Sequence, residues 1–229
     1  AYARFLIEWQ GVGGGARGPE ALLDVVAQLE GCPIPGSVLF SDVLPARVPG
    51  FRPSDLDALV ASGEVVWSGA AARGASDGMI VLALADHDAL LAPSPGESDD
   101  DAKSEIKAKV HAVLEARGAL FFSEIAKLVG GYPNEIVEAL WSLVWAGVVT
   151  NDTTEPLRSL LRGESKTATS GRRARELAKA KAFGPRARRM GSGPAGSEGR
   201  WALRKARWLD TPSETERRTA LAECLLERY

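Results

Sequence analysis

The pattern of apolar and polar positions occurs twice along the chain. Residues 38–69 and 120–152 each contain an aromatic-Ser-acid start, a short helix, a Pro-led helix, a glycine and a Val-rich strand. Self-similarity at a period of roughly eighty residues predicts two copies of one supersecondary unit. The interval from the helix-opening proline to the following glycine is ten residues in the first copy and fourteen in the second. The difference is about one helical turn, so the buried face of the longer helix keeps its direction.

In the first copy, hydrophobic spacing predicts three helices and a hairpin. An apolar stripe predicts a helix from Glu20 to Glu30 with Pro19 at its start. A short helix around residues 37–43 and a helix led by Pro53 follow. Two apolar runs then flank the Ala-, Gly- and Ser-containing tract 68–78, a pattern that predicts a hairpin. Three helices and a two-stranded wing predict a winged helix.

The second copy predicts a winged helix whose sheet is interrupted. Helices are predicted up to Gly118, over 121–129 and over 133–146, before a strand at 148–150. Its return strand is predicted far away, at 201–203, beyond a Gly, Ser and Arg tract with one predicted helix at 173–183. A last helix over 212–229 has Thr211 or Ser213 as its predicted N-cap.

These elements predict a mainly α fold with small β-wings, of the α+β class, built from tandem winged-helix domains. The predicted segments are a helix end and Gly-rich turn (1–18), winged-helix domain 1 (19–92), an acidic linker (93–101), winged-helix domain 2 (102–162), an Arg/Gly/Ser-rich segment (163–200), and a strand with the first helix of a third unit (201–229).

Charge is distributed very unevenly. The chain has 229 residues and a formal net charge of −2. Residues 1–155 carry 10 basic and 22 acidic residues, a net charge of −12, whereas residues 156–209 carry 15 basic and 3 acidic, a net charge of +12. Such asymmetry is typical of nucleic-acid binding or of an intramolecular electrostatic contact. The two cysteines and two histidines favour reduced thiols and argue against a zinc site.

The basic segment supplies the candidate nucleic-acid-binding residues. Arginines interleaved with tryptophan fit a groove in which phosphates meet cations while a ring stacks on a base. The candidates are Arg172, Arg173, Arg175, Arg186, Arg188, Arg189, Arg200, Trp201, Arg204 and Lys205. Two alternatives remain open: a strand with Trp201 buried and its arginines in water, and, for residues 172–189, a disordered basic linker.

The Pro-led helices are poor candidates for reading duplex DNA. Near their N-termini they carry carboxylates that would repel phosphate. These positions are Ser54, Asp55 and Asp57 in the first copy and Asn134, Glu135 and Glu138 in the second. Trp141 and Trp145 lie four residues apart on one helical face, where core packing is favoured over a stacking platform. No spacing of Ser, His, Cys or acidic residues suggests a catalytic set, and no cofactor or metal site is predicted.

Most of the chain resembles a known family. The segments that carry the resemblance are YARFLIEWQGV (2–12), ALLDVVAQLEG (21–31), VLPARVPGFRPSDLDALVASGEVVW (43–67), ARGALFFSEIAKLVG (116–130), YPNEIVEALWSLVWAGVVTND (132–152), GRWALR (199–204) and LAECLLERY (221–229). They resemble the C-terminal half of Lhr, the large helicase-related family of bacterial superfamily 2 DNA helicases. The Arg-rich tract is not part of the resemblance.

The sequence has no apolar stretch of about 18 residues and no signal-peptide core, which predicts a soluble, cytoplasmic protein. The resemblance implies an ATP-dependent helicase that translocates on single-stranded DNA and acts in DNA repair at the bacterial nucleoid. Its motor, with ATP and Mg²⁺, would lie outside this chain. It also implies tandem winged helices, a tetramer, and uracil-DNA glycosylase activity in some members, for which no residue here is matched. Three hypotheses follow: a DNA-engaging segment of the helicase, an oligomerisation scaffold without DNA contact, or part of a glycosylase module.

Overall fold

The computed structural model describes residues 2–91, 104–168 and 193–228. The predicted linker at 93–101, the predicted helix at 173–183 and the six candidate arginines from Arg172 to Arg189 lie outside these ranges.

The first unit is a winged helix, as the sequence predicts. Its elements are α1 (Tyr2–Trp9), α2 (Gly18–Leu29), β1 (Ile34–Pro35), α3 (Gly36–Val38), a π-helical turn (Leu39–Val43), α4 (Leu44–Arg47), α5 (Pro53–Ser62), β2 (Val65–Arg73), β3 (Asp77–Leu84), a 3₁₀ turn (Ala85–His87) and α6 (Asp88–Leu91). Proline in the first turns of α2 and α5 fits the free N–H positions there. Gly63 ends α5 in the left-handed region, with φ 83°.

The hairpin of the first unit forms the predicted wing. β2 and β3 pair antiparallel, with Trp67 opposite Leu82, and β1 adds to the far side of β3. The sheet order is therefore β1-β3-β2. A register shift between Gly69 and Ala71 marks a bulge, which bends the wing.

The second unit repeats this plan with a long interruption. Its elements are α7 (Ser104–Arg117), β4 (Leu120–Phe121), α8 (Phe122–Val129), α9 (Pro133–Trp145), β5 (Val149–Asn151), α10 (Glu155–Ala168), β6 (Arg200–Leu203), a 3₁₀ turn (Arg204–Arg207) and α11 (Glu214–Arg228). β6 lies between β4 and β5, antiparallel to both. The predicted distant return strand is thus confirmed, with Val149 opposite Leu203.

Helix α10 is an element that the sequence analysis did not predict. It occupies the start of the segment that charge alone marked as a basic tract. Its signal was present: Pro156 lies in the first turn, and Leu157, Leu160 and Leu161 follow at helical spacing. Leu157 is fully buried, and its side chain lies close to Gly36 of the first unit. The helix therefore packs across onto the neighbouring winged helix.

The buried residues of both units form one continuous apolar cluster. Leu22, Leu44 and Leu56 fill the first unit, and Ile125 and Ile136 fill the second, all essentially without solvent exposure. A shared core means that the two units are stabilised together, because separating them would expose apolar surface.

Helix α11 packs back onto the first unit. The Arg228 guanidinium donates to the backbone carbonyl oxygens of Gln28 and Glu30 at the end of α2. Ser213 caps the helix through reciprocal hydrogen bonds with Glu216, which confirms one of the two predicted caps. Burial, and next the nearby Glu30 carboxylate, raise the pKa of the Cys224 thiol on this helix.

Candidate nucleic-acid interface

Four tryptophans join the two winged helices. The Trp67 ring of β2 lies 6.4 Å from Trp141 of α9, and Trp141 lies 5.1 Å from Trp145 and 5.8 Å from Trp201, the last in an edge-on contact. Trp67 and Trp201 are fully buried, and Trp141 is nearly so. The Trp141 Nε1–H donates to the Gly196 carbonyl at 2.9 Å. The preferred reading of Trp141 and Trp145 as packing residues matches this placement.

The wing of the first unit meets α9 at two glycines. A Cβ at Gly69 would overlap the backbone carbonyl of Val144, and a Cβ at Gly78 would overlap the ring of Trp145. Neither site shows a positive φ, so close approach rather than backbone conformation requires glycine here. The absence of side chains at these two positions lets the indole ring lie directly on the hairpin.

Asp57 of α5 forms a polar link between the units. Its Oδ1 accepts hydrogen bonds from Thr153 Oγ1 (2.9 Å), Thr154 N (2.7 Å) and Thr154 Oγ1 (2.6 Å). Its Oδ2 accepts from Arg158 Nη2 at 2.6 Å. The Arg158 guanidinium also lies 5.9 Å from the centre of the Phe40 ring. We call Asp57, Thr153, Thr154 and Arg158 the clasp.

The clasp favours the ionised form of Asp57. Burial acts to raise the pKa of this carboxyl, but the hydrogen bonds from Arg158 and Thr154 outweigh it and hold the pKa below its usual value. Burial likewise acts to lower the pKa of Arg158, yet its hydrogen bonds to Asp57 and Glu155 raise it. An acidic residue of the first Pro-led helix is therefore engaged inside the protein.

A second ion pair between the units is fully buried. Arg204, which follows β6, donates through Nε to Asp88 Oδ1 of α6 at 2.8 Å, and the two side chains are only 1% and 2% exposed. The Trp208 Nε1–H donates to the other carboxylate oxygen at 2.7 Å. In this arrangement the Arg204 guanidinium is inaccessible to a phosphate, so the structure does not support its predicted role in nucleic-acid binding.

The predicted stacking residue Trp201 is also enclosed. Its ring packs edge-on against Trp141, and its Nε1–H donates to the Ser197 carbonyl at 3.3 Å. The alternative of a strand with its tryptophan buried therefore describes β6. The side-chain alternation of a strand places Trp201 and Leu203 in the core, while Arg200 faces solvent.

Arg200 and Lys205 are the described candidates whose side chains are exposed. Arg200 lies opposite Phe121 of β4 in the second sheet. Its guanidinium lies 5.9 Å from the centre of the Phe121 ring, and its Nε donates to Asp152 Oδ2 at 2.8 Å. The sequence analysis missed Phe121 because the contact depends on the register of β4 with β6. Its neighbour in the sequence, Phe122, is buried.

The N-terminus of α9 differs from that of α5. Asn134, Glu135 and Glu138 all have exposed side chains, and Tyr132 just before the helix is 74% exposed. This end of the second Pro-led helix is thus accessible, but it carries two carboxylates. Helix α9, the helix that a winged helix usually places in the major groove, itself carries no lysine or arginine.

The described residues contain no group of three or more His, Cys, Asp and Glu side chains that could hold a metal ion. Within the same part of the chain, the helices are too short or too polar to cross a bilayer.

Comparison with known proteins identifies the family. Residues 1–85 match the winged-helix domain of the large helicase-related protein. The whole chain is 35% identical to the Lhr helicase/uracil glycosylase of Escherichia coli and 37% identical to the Lhr helicase/probable uracil glycosylase of Mycolicibacterium smegmatis. The chain belongs to the Lhr family. The resemblance noted in the sequence is confirmed, and the Lhr match in the first unit coincides with the winged helix seen in the structure.

The chain spans 16% and 15% of the lengths of these two relatives. The helicase and glycosylase activities in their names belong to those much longer proteins. What the Lhr assignment establishes for this chain is therefore a winged-helix region of such a protein.

Proposed function

We propose that this chain is a non-motor winged-helix segment of an Lhr-type ATP-dependent DNA helicase acting in DNA repair, and that it engages single-stranded DNA. ATP and Mg²⁺ would be bound by motor domains elsewhere in the parent protein. The basic segment 158–207 would make the main contacts to DNA; it lies within residues 156–209, whose net charge is +12.

The observation that carries the proposal is a difference in charge. The two winged helices are acidic along their Pro-led helices, whereas the segment that interrupts the second one is strongly basic. The winged helices share a buried aromatic core, and both their Pro-led helices are acidic. Electrostatics therefore disfavours phosphate along those helices. The excess positive charge is confined to the insertion between α10 and β6 and to its borders. Arg200 and Lys205 lie where this insertion ends, and both of their side chains are exposed.

The experiment is fluorescence anisotropy of a labelled single-stranded oligonucleotide across a salt series. The test variant replaces five arginines of the insertion by alanine: Arg172, Arg173, Arg186, Arg188 and Arg189. Each lost phosphate contact makes the slope of log K against log salt shallower by about 0.7 for single strands, or roughly 3.5 if all five contact phosphate. A variant that retains the wild-type slope would contradict the assignment of contacts to this segment.

A matched control removes the same charge from another place. The control variant replaces five exposed arginines that lie outside the basic segment: Arg4, Arg17, Arg52, Arg73 and Arg117. Their replacement by alanine changes the net charge by the same amount as the test variant. We expect this control to retain most of the slope, which separates local contacts from a general effect of net charge.

Oligomerisation without DNA contact is the second candidate function, and exposed apolar side chains favour it. Phe5 and Trp9 on α1 stack on each other at 5.9 Å and are each about half exposed, and Leu226 on α11 is 81% exposed. A homo-oligomer, a tetramer by family resemblance, would cover such surface. A sedimentation coefficient that changes with salt concentration, together with no change in the anisotropy of the labelled oligonucleotide, would favour this candidate.

A contribution to uracil-DNA glycosylase activity rests only on the names of the relatives. We assign no catalytic residue to this chain. Base-excision assays on the full-length protein with substitutions in this segment would test that contribution directly.

A further inference from the structure

A small cavity lies at the edge of the second sheet, beside the exposed pair Phe121 and Arg200. Its volume is about 210 Å³. It is lined by Phe121, Phe122, Ser123, Gly193, Ser197, Glu198 and Gly199. The start of α8 and the loop that leads into β6 form its walls. Drug-sized ligand pockets occupy about 300–1,000 Å³, so this cavity suits one small planar group.

The sheet register places an exposed aromatic ring in the wall of the cavity. Phe121 lies opposite Arg200, and Leu120 opposite Trp201. Because side chains alternate along a strand, Trp201 points into the core while Phe121 and Arg200 lie on the outer face. Phe121 is 53% exposed although it is large and apolar. An exposed aromatic ring beside a cavity is suited to stacking on a ligand ring.

Arg200 is held in a defined orientation beside that ring. Its backbone N–H and its Nε both donate to the Asp152 carboxylate, each at 2.8 Å. The side chain remains 54% exposed. The guanidinium has five N–H donors, and its two terminal nitrogens have no hydrogen bond to any residue that the structure describes. These nitrogens can therefore bind an anion in front of the sheet without losing the pair with Asp152.

The chemistry of the cavity wall distinguishes a base from a phosphate. Glu198 is one of the lining residues, and its carboxylate is held close to the wall: Oε1 accepts from Ser159 Oγ at 2.9 Å, and Oε2 is buried without a hydrogen-bond partner among the described residues. A negative charge in the wall disfavours phosphate inside the cavity, whereas hydroxyl and backbone groups can bond to the edge of a base. The ligand that fits is thus a neutral aromatic ring inside with an anion at Arg200 outside.

Two glycines keep the cavity walls thin. A Cβ at Gly193 would collide with Phe122 and Ser197, and one at Gly199 would collide with Asn151 and Thr153. The loop can lie against the sheet only without side chains at these positions, and that close packing fixes the walls beside Phe121.

We propose that this cavity receives one unpaired base of single-stranded DNA, stacked on Phe121, while Arg200 binds the adjoining phosphate. The inference rests on the proposed function, since it names a site within a segment that engages DNA. It also replaces the predicted partnership of Arg200 and Trp201: the exposed aromatic partner of Arg200 comes from the neighbouring strand.

The test varies both the protein and the ligand. Labelled oligothymidylate and an abasic oligonucleotide of the same length are titrated into the wild type, Phe121→Leu and Phe121→Trp. A base that stacks on an aromatic ring contributes about 1–3 kcal/mol, so Phe121→Leu should weaken oligothymidylate binding on the order of tenfold. Phe121→Trp should restore it. Phe121→Leu should bind the abasic strand as the wild type does, because that strand has no base to stack.

Tyr2→Leu is the matched control, since Tyr2 is an aromatic residue that is 72% exposed on α1 and lies in the other unit. It should leave oligothymidylate binding unchanged. Arg200→Gln should weaken both oligonucleotides and make the salt slope shallower by about 0.7, whereas Arg218→Gln, which breaks an exposed ion pair with Glu214, should not. Thermal unfolding of each variant confirms that it is folded.

The outcomes separate this inference from the proposed function. If the wild type binds and Phe121→Leu binds oligothymidylate equally well, the base site is wrong and the DNA-engaging function stands. If Phe121→Leu binds neither oligothymidylate nor the abasic strand while its unfolding temperature is unchanged, the stacking role is also wrong. If the wild type binds neither oligonucleotide, the proposed function and this site both fail.

Discussion

Asp57→Ala removes the carboxylate at the centre of the clasp, and the structure predicts a large loss of stability. In the folded protein this side chain accepts hydrogen bonds from Thr153, Thr154 and Arg158 across the boundary between the units. After the substitution, the Thr154 N–H loses its acceptor, and the Arg158 guanidinium loses one of the two carboxylates that it contacts. The two winged helices would then be held together mainly by their apolar contacts.

The magnitude follows from burial. Removing one partner of a buried ion pair costs about 3–5 kcal/mol, and leaving a neutral donor without an acceptor costs about 1–3 kcal/mol. The Asp57 and Arg158 side chains are 22% and 13% exposed, and Arg158 keeps its pair with Glu155. Water and Glu155 therefore offset part of the loss. We expect Asp57→Ala to lower the free energy of unfolding by about 2–4 kcal/mol.

The assay is urea unfolding followed by far-UV circular dichroism, as a double-mutant cycle with Arg158→Ala. Residues in one hydrogen-bonded network typically show coupling energies of about 0.5–3 kcal/mol, and we expect the upper half of that range. Glu8→Ala is the control, since Glu8 pairs with Arg4 on the surface at 62% exposure and should change stability by less than about 1 kcal/mol. If Asp57→Ala costs no more than Glu8→Ala, the clasp does not stabilise the contact between the units.

The clasp also predicts a pH dependence with a definite sign. The pKa of Asp57 is lowered in the folded protein, whereas an unfolded aspartate titrates near about 3.9. Its stabilisation is therefore complete above that unfolded pKa and is lost as the pH falls through the lower folded pKa. The stability difference between the wild type and Asp57→Asn should shrink on acidification below about pH 4. A difference that stays constant down to pH 2 would contradict the assigned pKa direction.

Two further substitutions probe the contact between the units. Gly69→Ala places a Cβ against the Val144 carbonyl oxygen and should lower the free energy of unfolding by about 1–3 kcal/mol or more, measured as a lower melting temperature. Gly15→Ala is the control, since no atom lies within 4 Å of that Cβ, and it should change the melting temperature little. Equal effects of the two substitutions would refute the overlap at Gly69. Arg204→Met leaves Asp88 buried without its cation and should cost about 3–5 kcal/mol in urea unfolding. Adding Asp88→Asn to Arg204→Met should restore much of the lost stability. If the double variant is no more stable than Arg204→Met, the unpaired charge of Asp88 is not the cause of the loss.

The regular elements of both winged helices are readable from the sequence because local patterns specify them. Proline at the start of α5 and the left-handed Gly63 at its end mark the same boundaries in sequence and structure. The distant strand β6 was also predictable, since β5 needs an antiparallel partner and a Trp-containing apolar segment was available. Helix α10 was missed because its leucines lie at the start of a segment that the sequence analysis interpreted from its positive charge rather than from its helical spacing.

The sequence by itself determined the fold class, the repeat and the separation of charge, all of which depend on composition and on spacing along the chain. Only the tertiary structure decided which side of β6 is buried, because that depends on its register with β4. The register encloses Trp201, exposes Arg200 and gives Arg200 an aromatic neighbour 79 residues away in the sequence. The roles of Asp57 and Asp88 were equally hidden, since an acidic side chain at a helix start has the same sequence signature whether it faces water or a buried arginine.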